Sequence, residues 1–469
     1  MNTQIIKNKI LNDEILNNIA SFFDNEIYLV GGAVRDILQE KCIIDRDLIV
    51  TDEDAGSFSK KVADFLGGKY IPLDEENKIY RIVLRDKINY LDITNPINNS
   101  LSEDIERRDL TINSILANIK TGEIIDLTGG LKDFENKILN GIREKNFSDD
   151  PLRLLRIFRF HSVLGFEISK ELMNIAQKYS SLIQKPAKER IEYELMKLFN
   201  GEFAHCALLK MDEAGILEYI FPFVKELKQV PPNAHHHLDL FHHSIETVRQ
   251  IEILYKNSPD KVKEHLDRID FGGFSRLAHL KLAAFMHDIG KFSCWTIEED
   301  TGRHRFIKHD DAGSKMAPRV LKPLAFSNKQ IDYIQTIIKH HMYATAVVCS
   351  PELNNKVMMR FVRKAKENAI DMIIIAKADR LSALGPEITP EMVEENISLL
   401  NVLQNFYLET IETLKPLPKL LDGNEIMKMF NLTPSPKLGE ILNNLHEAQI
   451  NGDIQTKEDA INYIEQLIN

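Results

Sequence analysis

Hydrophobic residues in the first 130 positions alternate between helical and strand spacing. Apolar residues recur at helical spacing near the N-terminus, which predicts one helix within residues 1–25. Further helices are predicted at 57–66 and 105–118. Short apolar and β-rich runs predict strands at 27–30, 43–50, 79–84, 88–93 and 124–127, with 79–84 and 88–93 pairing as a hairpin. This mixture predicts an α/β domain over residues 1–130.

Strand patterns almost disappear after Pro151, and helical spacing continues to the end of the chain. The predicted helices are 152–164, 170–179, 188–199, 202–214, 241–255, 277–287, 311–321, 330–341, 367–383 and 391–414. Prolines near 222 and at 386–390 mark breaks between groups of helices. We therefore predict four domains: an α/β head at 1–130, a helical neck at 131–222, a histidine-rich helical domain at 223–390 and a helical tail at 391–469.

Composition narrows the class of protein. The 469 residues are 43% hydrophobic and 28% charged, and no stretch approaches the ~20 apolar residues that span a bilayer. No signal peptide is evident, and the four cysteines are scattered, so we expect a cytoplasmic protein without a membrane partner. The net charge of −11 argues against indiscriminate nucleic-acid binding, although basic residues cluster between 143 and 190.

A glycine pair and two aspartates form the first candidate site. Gly31 and Gly32 follow the first predicted strand and open a short helix, a turn that lets backbone N–H groups approach a phosphate. Asp45 and Asp47 are two residues apart in the next strand, so both face one side and can share Mg²⁺. Together these features indicate nucleotidyl transfer. Asp92 is either a third carboxylate of this site or an ordinary strand-edge residue.

Charged clusters farther along the chain extend this candidate site. Residues 106–113 contain charges together with Thr111 and Asn113, which could hold sugar and phosphate oxygens or form a solvated first turn of a helix. In the helix that follows Asp150, three arginines are spaced by three and form one predicted cationic ridge: Arg153, Arg156 and Arg159. An aspartate and an arginine together can address the edge of a nucleobase, while the other arginines address a triphosphate.

Four ordered segments resemble the class II tRNA nucleotidyltransferase/poly(A) polymerase family. They are Leu-Val-Gly-Gly-Ala-Val-Arg-Asp at 29–36, Asp-Arg-Asp at 45–47, Arg-Arg-Asp-Leu-Thr-Ile-Asn at 107–113 and Asp-Pro-Leu-Arg-Leu-Leu-Arg-Ile-Phe-Arg-Phe at 150–160. The resemblance implies a polymerase-beta-like α/β nucleotidyltransferase head and an all-α neck. It also implies Mg²⁺ at Asp45 and Asp47, with Asp92 assisting catalysis. The residues that it implies for binding CTP or ATP are Gly32, Arg35, Arg107, Asp150, Arg153, Arg156 and Arg159.

The function implied by this resemblance is template-independent addition of CMP and AMP to the 3′ end of tRNA. In the family, an aspartate and an arginine at the positions of Asp150 and Arg153 choose the base. Members that add the terminal A usually carry a longer loop where this chain has only residues 93–106. A CC-adding enzyme and a poly(A) polymerase therefore remain alternatives. The sequence indicates no oligomeric state.

Histidines in the 223–390 region form an ordered pattern with aspartates. Imidazole and carboxylate together suit a divalent metal that activates water for phosphoester hydrolysis. The pattern resembles the all-helical HD metal-dependent phosphohydrolase superfamily. That resemblance implies four ligands for one metal and two histidines that support a second. They are His243, His287, Asp288 and Asp379 for the first and His309 and His341 for the second.

Spacing leaves two choices open in this pattern, His242 or His243 and His340 or His341. The triplet 235–237 is predicted to be a loop before the helix rather than a set of ligands. The implied metal is Mn²⁺, Ni²⁺ or Co²⁺, and the implied activity is phosphatase or 2′,3′-cyclic phosphodiesterase cleaning of RNA ends. An alternative of another class is an HD phosphohydrolase whose head serves only as a binding module.

Overall fold

The computed structural model describes residues 3–411 and 417–468. The chain forms two compact units, with the boundary between Pro222 and Phe223. Among the described helices, none is both long and apolar enough to cross a membrane.

The first unit begins with a mixed α/β region and ends in helices. Its strands are β1 (Ile27–Val30), β2 (Asp45–Val50), β3 (Lys69–Asp74), β4 (Ile79–Val83), β5 (Tyr90–Thr94), β6 (Leu116–Asn118), β7 (Ile124–Ile125), β8 (Ile138–Leu139) and β9 (Glu167–Ile168). Its helices are α1 (Thr3–Asn12), α2 (Glu14–Phe22), α3 (Gly32–Leu38), α4 (Ala55–Leu66), α5 (Leu101–Glu106), α6 (Gly130–Glu135), α7 (Glu144–Asp149), α8 (Leu152–Leu164), α9 (Lys170–Lys178), α10 (Lys188–Asn200), α11 (Ala204–Glu213) and α12 (Leu217–Ile220). Three 3-10 segments lie at Ile97–Asn99, Thr111–Asn113 and Ser180–Gln184.

Seven strands form one mixed sheet in the order β3-β4-β5-β2-β1-β6-β7. Strands β2 and β5 are parallel, and the other neighbours are antiparallel. The predicted hairpin of 79–84 and 88–93 is confirmed by β4 and β5. A mixed sheet followed by a largely helical remainder confirms the coarse fold prediction.

Strand alternation decides which side chains face each side of the sheet. Leu48 and Val50 in β2 join the core formed with α1 to α4, together with Leu91 and Ile93 of β5. Ile49 joins the smaller cluster on the opposite face. Because successive side chains in a strand point to opposite faces, the aspartates of β2 and β5 lie on the face opposite the helical core.

Two predicted helices differ from the structure. The helix within 1–25 is two helices, because Asp13 has an extended backbone and its carboxylate caps α2 by accepting the N–H of Leu16 at 3.0 Å. The helix at 105–118 is wrong. Helix α5 ends at Glu106, and Leu116–Asn118 form a strand that pairs with β1 and β7. Pairing along the sheet outweighs the local helical pattern there.

The second unit is almost entirely helical. Its helices are α13 (Val224–Leu227), α14 (Leu240–Lys256), α15 (Asp260–Asp267), α16 (Arg276–Met286), α17 (Lys291–Cys294), α18 (His309–Leu321), α19 (Asn328–His340), α20 (Tyr343–Val348), α21 (Asn355–Ala365), α22 (Ala369–Ser382), α23 (Pro390–Thr410), α24 (Gly423–Phe430), α25 (Pro436–Asn451) and α26 (Lys457–Ile468). A small hairpin joins β10 (Thr296–Ile297) to β11 (His304–Arg305), and 3-10 segments lie at Lys322–Leu324 and Lys366–Asn368.

The helices predicted after residue 151 are observed with small shifts at their ends. The predicted helix at 391–414 corresponds to α23, and its residues 412–414 lie outside the described residues. Helices α24 to α26 share their own small hydrophobic cluster, which includes Ile426, Leu445 and Ile464. Helices α14, α16, α18, α19 and α22 pack against one another and bring together the histidine-rich segments.

Candidate functional site

The glycine turn after β1 lies directly against the aspartates of β2. Gly31 has φ +67°, and a Cβ placed there would lie 3.3 Å from Asp47 Oδ2 and 3.4 Å from Arg108 Nη1. Both the backbone conformation and the close approach therefore favour glycine at this position. Gly32 begins helix α3, so this end of the helix opens beside the carboxylates.

Three carboxylates converge beside this turn. In the parallel pairing of β2 and β5, Asp47 lies opposite Asp92. Oxygen atoms of Asp45, Asp47 and Asp92 all lie within 4.8 Å of one another. Burial, with added repulsion from the other two carboxylates, raises the pKa of Asp47 to about 7. Burial and Asp92 also raise the pKa of Asp45. Three crowded hard oxygen donors fit a divalent cation such as Mg²⁺, which would relieve this repulsion.

Arg81 belongs to this site, and the sequence analysis missed it. Its Nε and Nη2 each donate to one oxygen of Asp92 at 2.7 Å, a bidentate pair that orients the carboxylate. Arg81 lies opposite Asp92 in the β4–β5 hairpin. The predicted hairpin therefore contained the signal, since cross-strand neighbours of opposite charge pair readily.

Arg35 extends the site from α3 into a hydrogen-bonded network. Its Nη1 donates to Asn113 Oδ1 at 2.7 Å, and its guanidinium lies 4.9 Å from the centre of the Phe160 ring. Asn113 in turn donates to Asp109 at 3.1 Å. Asn113 therefore binds protein groups, and Thr111 likewise donates to Asp133 at 2.6 Å. Neither Thr111 nor Asn113 lies in the first turn of a long helix, which was the alternative prediction.

The three arginines of the predicted cationic ridge lie on α8, and two of them pair with internal carboxylates. Arg156 Nε donates to Asp109 Oδ2 at 2.6 Å, and Arg159 Nε lies 3.2 Å from Glu194 Oε2. Arg159 is only 8% exposed. Burial alone would raise the pKa of Asp109, but the Arg156 guanidinium holds it well below its usual range. Internal carboxylates on other segments therefore pair with these arginines and fix their positions. Asp109 and Glu194 were not predicted from the sequence to pair with these arginines.

Asp150 and Arg153 lie at the start of α8, as predicted. Asp150 Oδ1 accepts the N–H of Leu152 at 3.3 Å, and its Oδ2 accepts from Arg190 Nη2 at 3.1 Å. Arg153 Nη1 donates to the carbonyl oxygen of Arg107 at 2.6 Å. The Arg107 side chain is exposed and pairs with Asp104 at 3.0 Å. Arg153, Asp150 and Arg107 therefore lie next to one another, and each has further polar atoms that these contacts do not use.

In the second unit, histidines and aspartates from five segments meet in two groups. One trio is His243, His287 and Asp379, and the other is Asp288, His309 and His341. Within each trio, the atoms that can bind a metal lie within 4.8 Å of one another. All of these side chains are buried except Asp379, which is partly exposed. The two trios together form what we term the histidine–aspartate centre.

Asp288 lies between the two trios rather than in the first alone. Its Oδ2 is 3.1 Å from His287 Nε2, whereas its Oδ1 is 3.2 Å from His309 Nε2. One carboxylate oxygen therefore faces each trio. The resemblance had assigned Asp288 to the first metal, and the geometry also suits an aspartate shared by two cations.

The histidine rings of the centre are oriented by backbone carbonyls. The Nδ1 atoms of His287, His309 and His341 lie 2.7–2.8 Å from the carbonyl oxygens of residues 284, 306 and 338. A carbonyl only accepts, so each Nδ1 donates its proton there, and each Nε2 is the nitrogen that faces the carboxylates. Nε2 of His287 and Oδ1 of Asp288 have no hydrogen-bond partner among the described residues. This donor set fits divalent cations.

The charges of the histidine–aspartate centre also favour the binding of divalent cations. Burial alone would lower the pKa of His287, but the Asp288 and Asp379 carboxylates raise it to about 10. Burial would raise the pKa of Asp379, yet its histidine neighbours hold that pKa well below its usual range. The centre therefore strongly attracts positive charge.

The structure distinguishes the two histidine pairs that spacing left open. His243 is buried with Nε2 3.1 Å from Asp379, whereas His242 is exposed and bonds Asp239. His341 contacts the centre through Nε2, whereas the His340 ring contacts Tyr343. Only the tertiary packing tells these neighbours apart, because both members of each pair occupy the same helix end.

Family models match three stretches of the chain. The poly A polymerase head domain matches residues 27–140, and the probable RNA- and SrmB-binding site of polymerase A matches residues 165–228. A further model, described as tRNA nucleotidyltransferase domain 2 (putative), matches residues 307–464. None of these descriptions names an HD domain, so the HD assignment stays a prediction.

Curated relatives match over most of the chain. An A-adding tRNA nucleotidyltransferase of Deinococcus radiodurans is 28% identical over 93% of this chain and 94% of its own. A CC-adding tRNA nucleotidyltransferase of Thermus thermophilus is 29% identical over 93% and 92%, respectively. A multifunctional CCA protein of Haemophilus influenzae is 33% identical over 64% of this chain and 70% of its own.

Solved structures show the same fold. A CCA-adding enzyme in complex with CTP aligns with a TM-score of 0.61 over 100% of this chain and 99% of its own, at 19% identity. A CCA-adding enzyme of Thermotoga maritima complexed with tRNA aligns with a TM-score of 0.58 over 100% and 99%, respectively, at 18% identity. At such identities these two comparisons bear on the fold alone.

Proposed function

Because the chain belongs to the tRNA nucleotidyltransferase/poly(A) polymerase family, we propose that it adds CMP and AMP to the 3′ end of tRNA. CTP and ATP are the nucleotide donors. The observation that carries this proposal is the carboxylate trio of Asp45, Asp47 and Asp92 beside the glycine turn. Relatives named as A-adding and CC-adding tRNA nucleotidyltransferases support the substrate class.

The proposed reaction is a displacement at the α-phosphorus of the nucleotide. The RNA 3′ hydroxyl attacks and forms a new P–O bond, its proton is released, and the bond to pyrophosphate breaks. Asp45 and Asp47 would hold Mg²⁺, which when bound would stabilise charge on the attacking and leaving oxygens. The pair with Arg81 fixes the orientation of Asp92 beside them. Arg35, held by Asn113, offers its remaining donors to the phosphates.

Base selection is assigned to the start of α8. Asp150 offers acceptors and Arg153 offers donors, which together match the polar edge of a nucleobase. Arg190 holds Asp150 in place by donating to its carboxylate. The backbone carbonyl of Arg107 holds Arg153 in place by accepting from its guanidinium. Arg156 and Arg159 are held by Asp109 and Glu194 and present their remaining N–H groups as fixed cationic donors.

The carboxylate trio is tested with Asp47→Asn. We expect this variant to lose nucleotide addition by at least 10²-fold while its circular dichroism spectrum is unchanged, since a metal ligand is lost but the side-chain shape remains. Asp64→Asn is the matched control, because Asp64 is exposed on α4 of the same unit. Normal addition by Asp47→Asn contradicts the proposed site.

The identity of the added nucleotides is tested with defined RNA ends. Purified protein is incubated with tRNA that lacks CCA, and with tRNA that ends in CC, together with each NTP separately. With CTP and ATP then supplied together, addition of CCA to the first RNA and of a single A to the second supports CCA addition. A stop after two Cs indicates a CC-adding enzyme, activity only on the CC end indicates an A-adding enzyme, and long A tails on general RNA indicate a poly(A) polymerase.

A second activity is proposed for the histidine–aspartate centre, namely divalent-metal-dependent hydrolysis of phosphoesters at RNA ends. The two trios that share Asp288 carry this proposal. His243, His287 and Asp379 would hold one cation and His309 and His341 another, and a bound cation would activate water for attack on phosphorus. A mixed set of imidazole and carboxylate ligands suits Mn²⁺, Ni²⁺ or Co²⁺.

The second activity is tested with His287→Ala and Asp288→Ala. Each variant is expected to lose Mn²⁺-stimulated hydrolysis of 2′,3′-cyclic AMP and p-nitrophenyl phosphate, while nucleotide addition continues. Hydrolysis that persists in both variants rejects the assignment. Both reactions are also measured on Asp47→Asn, to test the alternative of a phosphohydrolase whose head only binds RNA. That alternative predicts that the wild type adds no nucleotides.

A further inference from the structure

A loop histidine outside the two trios lies beside the histidine–aspartate centre. The His236 ring contacts the His243 ring, with centroids 4.5 Å apart. Asn233 Oδ1 accepts the N–H groups of His235 and His236 at 3.0 and 3.2 Å, and the His235 carbonyl accepts the N–H of Gly385 at 2.9 Å. The loop that we predicted at 235–237 is therefore held in place, and His236 is fixed against the centre.

The partners of His236 determine where its proton lies. Lys291 Nζ is 3.3 Å from His236 Nε2, and an ammonium group only donates, so Nε2 is the acceptor. A ring nitrogen that accepts a hydrogen bond carries no proton, so the ring is neutral. A neutral imidazole whose Nε2 accepts must carry its proton on Nδ1.

This Nδ1–H is a buried donor without a partner. Among the residues that the structure describes, no acceptor lies within hydrogen-bond distance of it. Buried polar groups are nearly always hydrogen-bonded, and exceptions in native structures commonly mark functional sites. The His236 ring also lies next to Lys291, whose ammonium contacts Asp288 Oδ2 at 2.6 Å. Lys291 therefore connects this ring to the carboxylate that the two trios share.

His236 is not placed as a metal ligand. Neither group of ligand-capable atoms that lie within 4.8 Å of one another includes it. Its Nε2 is occupied by Lys291, and its Nδ1 carries the proton, so it has no lone pair directed at the carboxylates. A donor of this kind suits an acceptor oxygen of a substrate. Phosphoryl oxygens are strong acceptors and are the groups that a phosphoester brings to such a centre.

We propose that His236 binds substrate, with its Nδ1–H donating to a non-bridging phosphoryl oxygen of the phosphoester at the histidine–aspartate centre. Lys291 orients the ring by donating to Nε2. This inference rests on the proposed hydrolytic function of the same centre. It adds a substrate-binding residue and specifies phosphoryl oxygen as the group recognised.

The test compares three variants of the full chain loaded with Mn²⁺. His236→Phe keeps a ring against His243 but removes the donor, and His236→Ala replaces it if the Phe variant does not fold. His236→Asn keeps an amide N–H close to the position of Nδ1. The matched control is His237→Phe, because His237 is the exposed neighbour in the same loop.

Three measurements are made on each variant: bound Mn²⁺ per chain, the Kd of inorganic phosphate by calorimetry, and KM and kcat for 2′,3′-cyclic AMP. We expect His236→Phe to bind Mn²⁺ as the wild type does, to bind phosphate at least tenfold more weakly and to raise KM more than it lowers kcat. His236→Asn should recover phosphate binding to within threefold of the wild type. His237→Phe should resemble the wild type.

Several outcomes overturn the inference. A phosphate Kd within twofold of the wild type in His236→Phe removes the binding role, and lost Mn²⁺ identifies His236 as a ligand instead. Equal losses in the Asn and Phe variants show that the N–H is not the relevant group. If the wild type hydrolyses no phosphoester, the proposed function fails, but Mn²⁺-dependent phosphate binding that depends on His236 still supports the inference. Absence of that binding in the wild type rejects it.

Discussion

The buried carboxylate of Asp371 is expected to be a major source of stability in the second unit. It accepts hydrogen bonds from His265 Nε2 at 2.7 Å, Arg276 Nη2 at 2.8 Å and the Tyr333 hydroxyl at 2.6 Å. These partners come from α15, α16 and α19, whereas Asp371 lies on α22. Helix α22 also carries Asp379, two turns farther along, so this cluster positions one wall of the histidine–aspartate centre.

Replacing Asp371 with Asn removes the charge that pairs with a buried guanidinium. Arg276 is 1% exposed, and removing one partner of a buried ion pair typically costs about 3–5 kcal/mol. Arg276 keeps contacts with Asp270 and Asn368, both at 2.7 Å, so the lower end of this range applies. We therefore expect a loss of about 3 kcal/mol in the free energy of unfolding. For a unit of this size, that corresponds to a fall of about 6–12 °C in Tm.

Differential scanning calorimetry of the full chain measures this change. Asp332→Asn is the matched control, because Asp332 is exposed beside Tyr333 on α19, and it should shift Tm by less than 2 °C, within about 0.5 kcal/mol. Weaker Mn²⁺ binding should accompany the loss of stability in Asp371→Asn, since α22 carries Asp379. A Tm within about 2 °C of the wild type would refute the energetic role assigned to this cluster.

The same cluster predicts a dependence on pH. Burial alone would raise the pKa of Asp371, but hydrogen bonds from His265 and Arg276 hold it well below its ordinary value. A carboxyl group with a lowered folded-state pKa contributes stability that is fully present above its unfolded pKa and is lost as the pH falls. The difference in unfolding free energy between the wild type and Asp371→Asn should therefore be constant near neutrality and shrink below about pH 4. A constant difference down to pH 2 contradicts this reasoning.

Three further predictions concern the first unit. Gly31→Ala should lower kcat for nucleotide addition at least tenfold, because a Cβ there meets Asp47. Gly129 also has a positive φ, +79°, but a Cβ there meets nothing within 4 Å, so Gly129→Ala should cost only about 1–2 kcal/mol of stability. Equal activities in the two variants would exclude the close approach as the cause. Asp109→Asn should weaken the charge-assisted hydrogen bond from Arg156, and so lower the unfolding free energy by about 1.5–3 kcal/mol in urea titrations. The same variant should raise KM for both CTP and ATP. An unchanged KM contradicts the positioning role of Asp109. Arg190→Ala should change the ratio of CMP to AMP incorporation by about two- to fivefold, since its partly exposed pair with Asp150 is worth at most about 1 kcal/mol, and a change above tenfold would show a direct contact with the base.

Much of the head was predictable because its chemistry is local in sequence. The glycine turn, the aspartates two residues apart and the hairpin of β4 and β5 are short-range features with short-range signals. The family prediction is confirmed by the relative of Haemophilus influenzae and by the matched head domain. The roles assigned to individual residues stay predictions, since geometry alone does not measure binding or catalysis.

Two of the differences between prediction and structure have one physical origin, which is that distant segments supply the partners. The helix predicted at 105–118 followed local apolar spacing, but Leu116–Asn118 pair with strands on both sides. The arginines of α8 were predicted as a cationic ridge with no partners named, and the structure pairs Arg156 and Arg159 with Asp109 and Glu194. Spacing within one helix cannot reveal such long-range carboxylates.

The sequence by itself determined which residues could do chemistry and on which face of its own element each one lies. Periodicity of two in β2 is enough to place Asp45 and Asp47 on one side of the sheet. Only the tertiary structure decided which groups meet, such as Arg156 with Asp109, or His243 rather than His242 at the centre. The reason is that a strand or helix fixes directions locally, whereas proximity between distant residues depends on how whole elements pack.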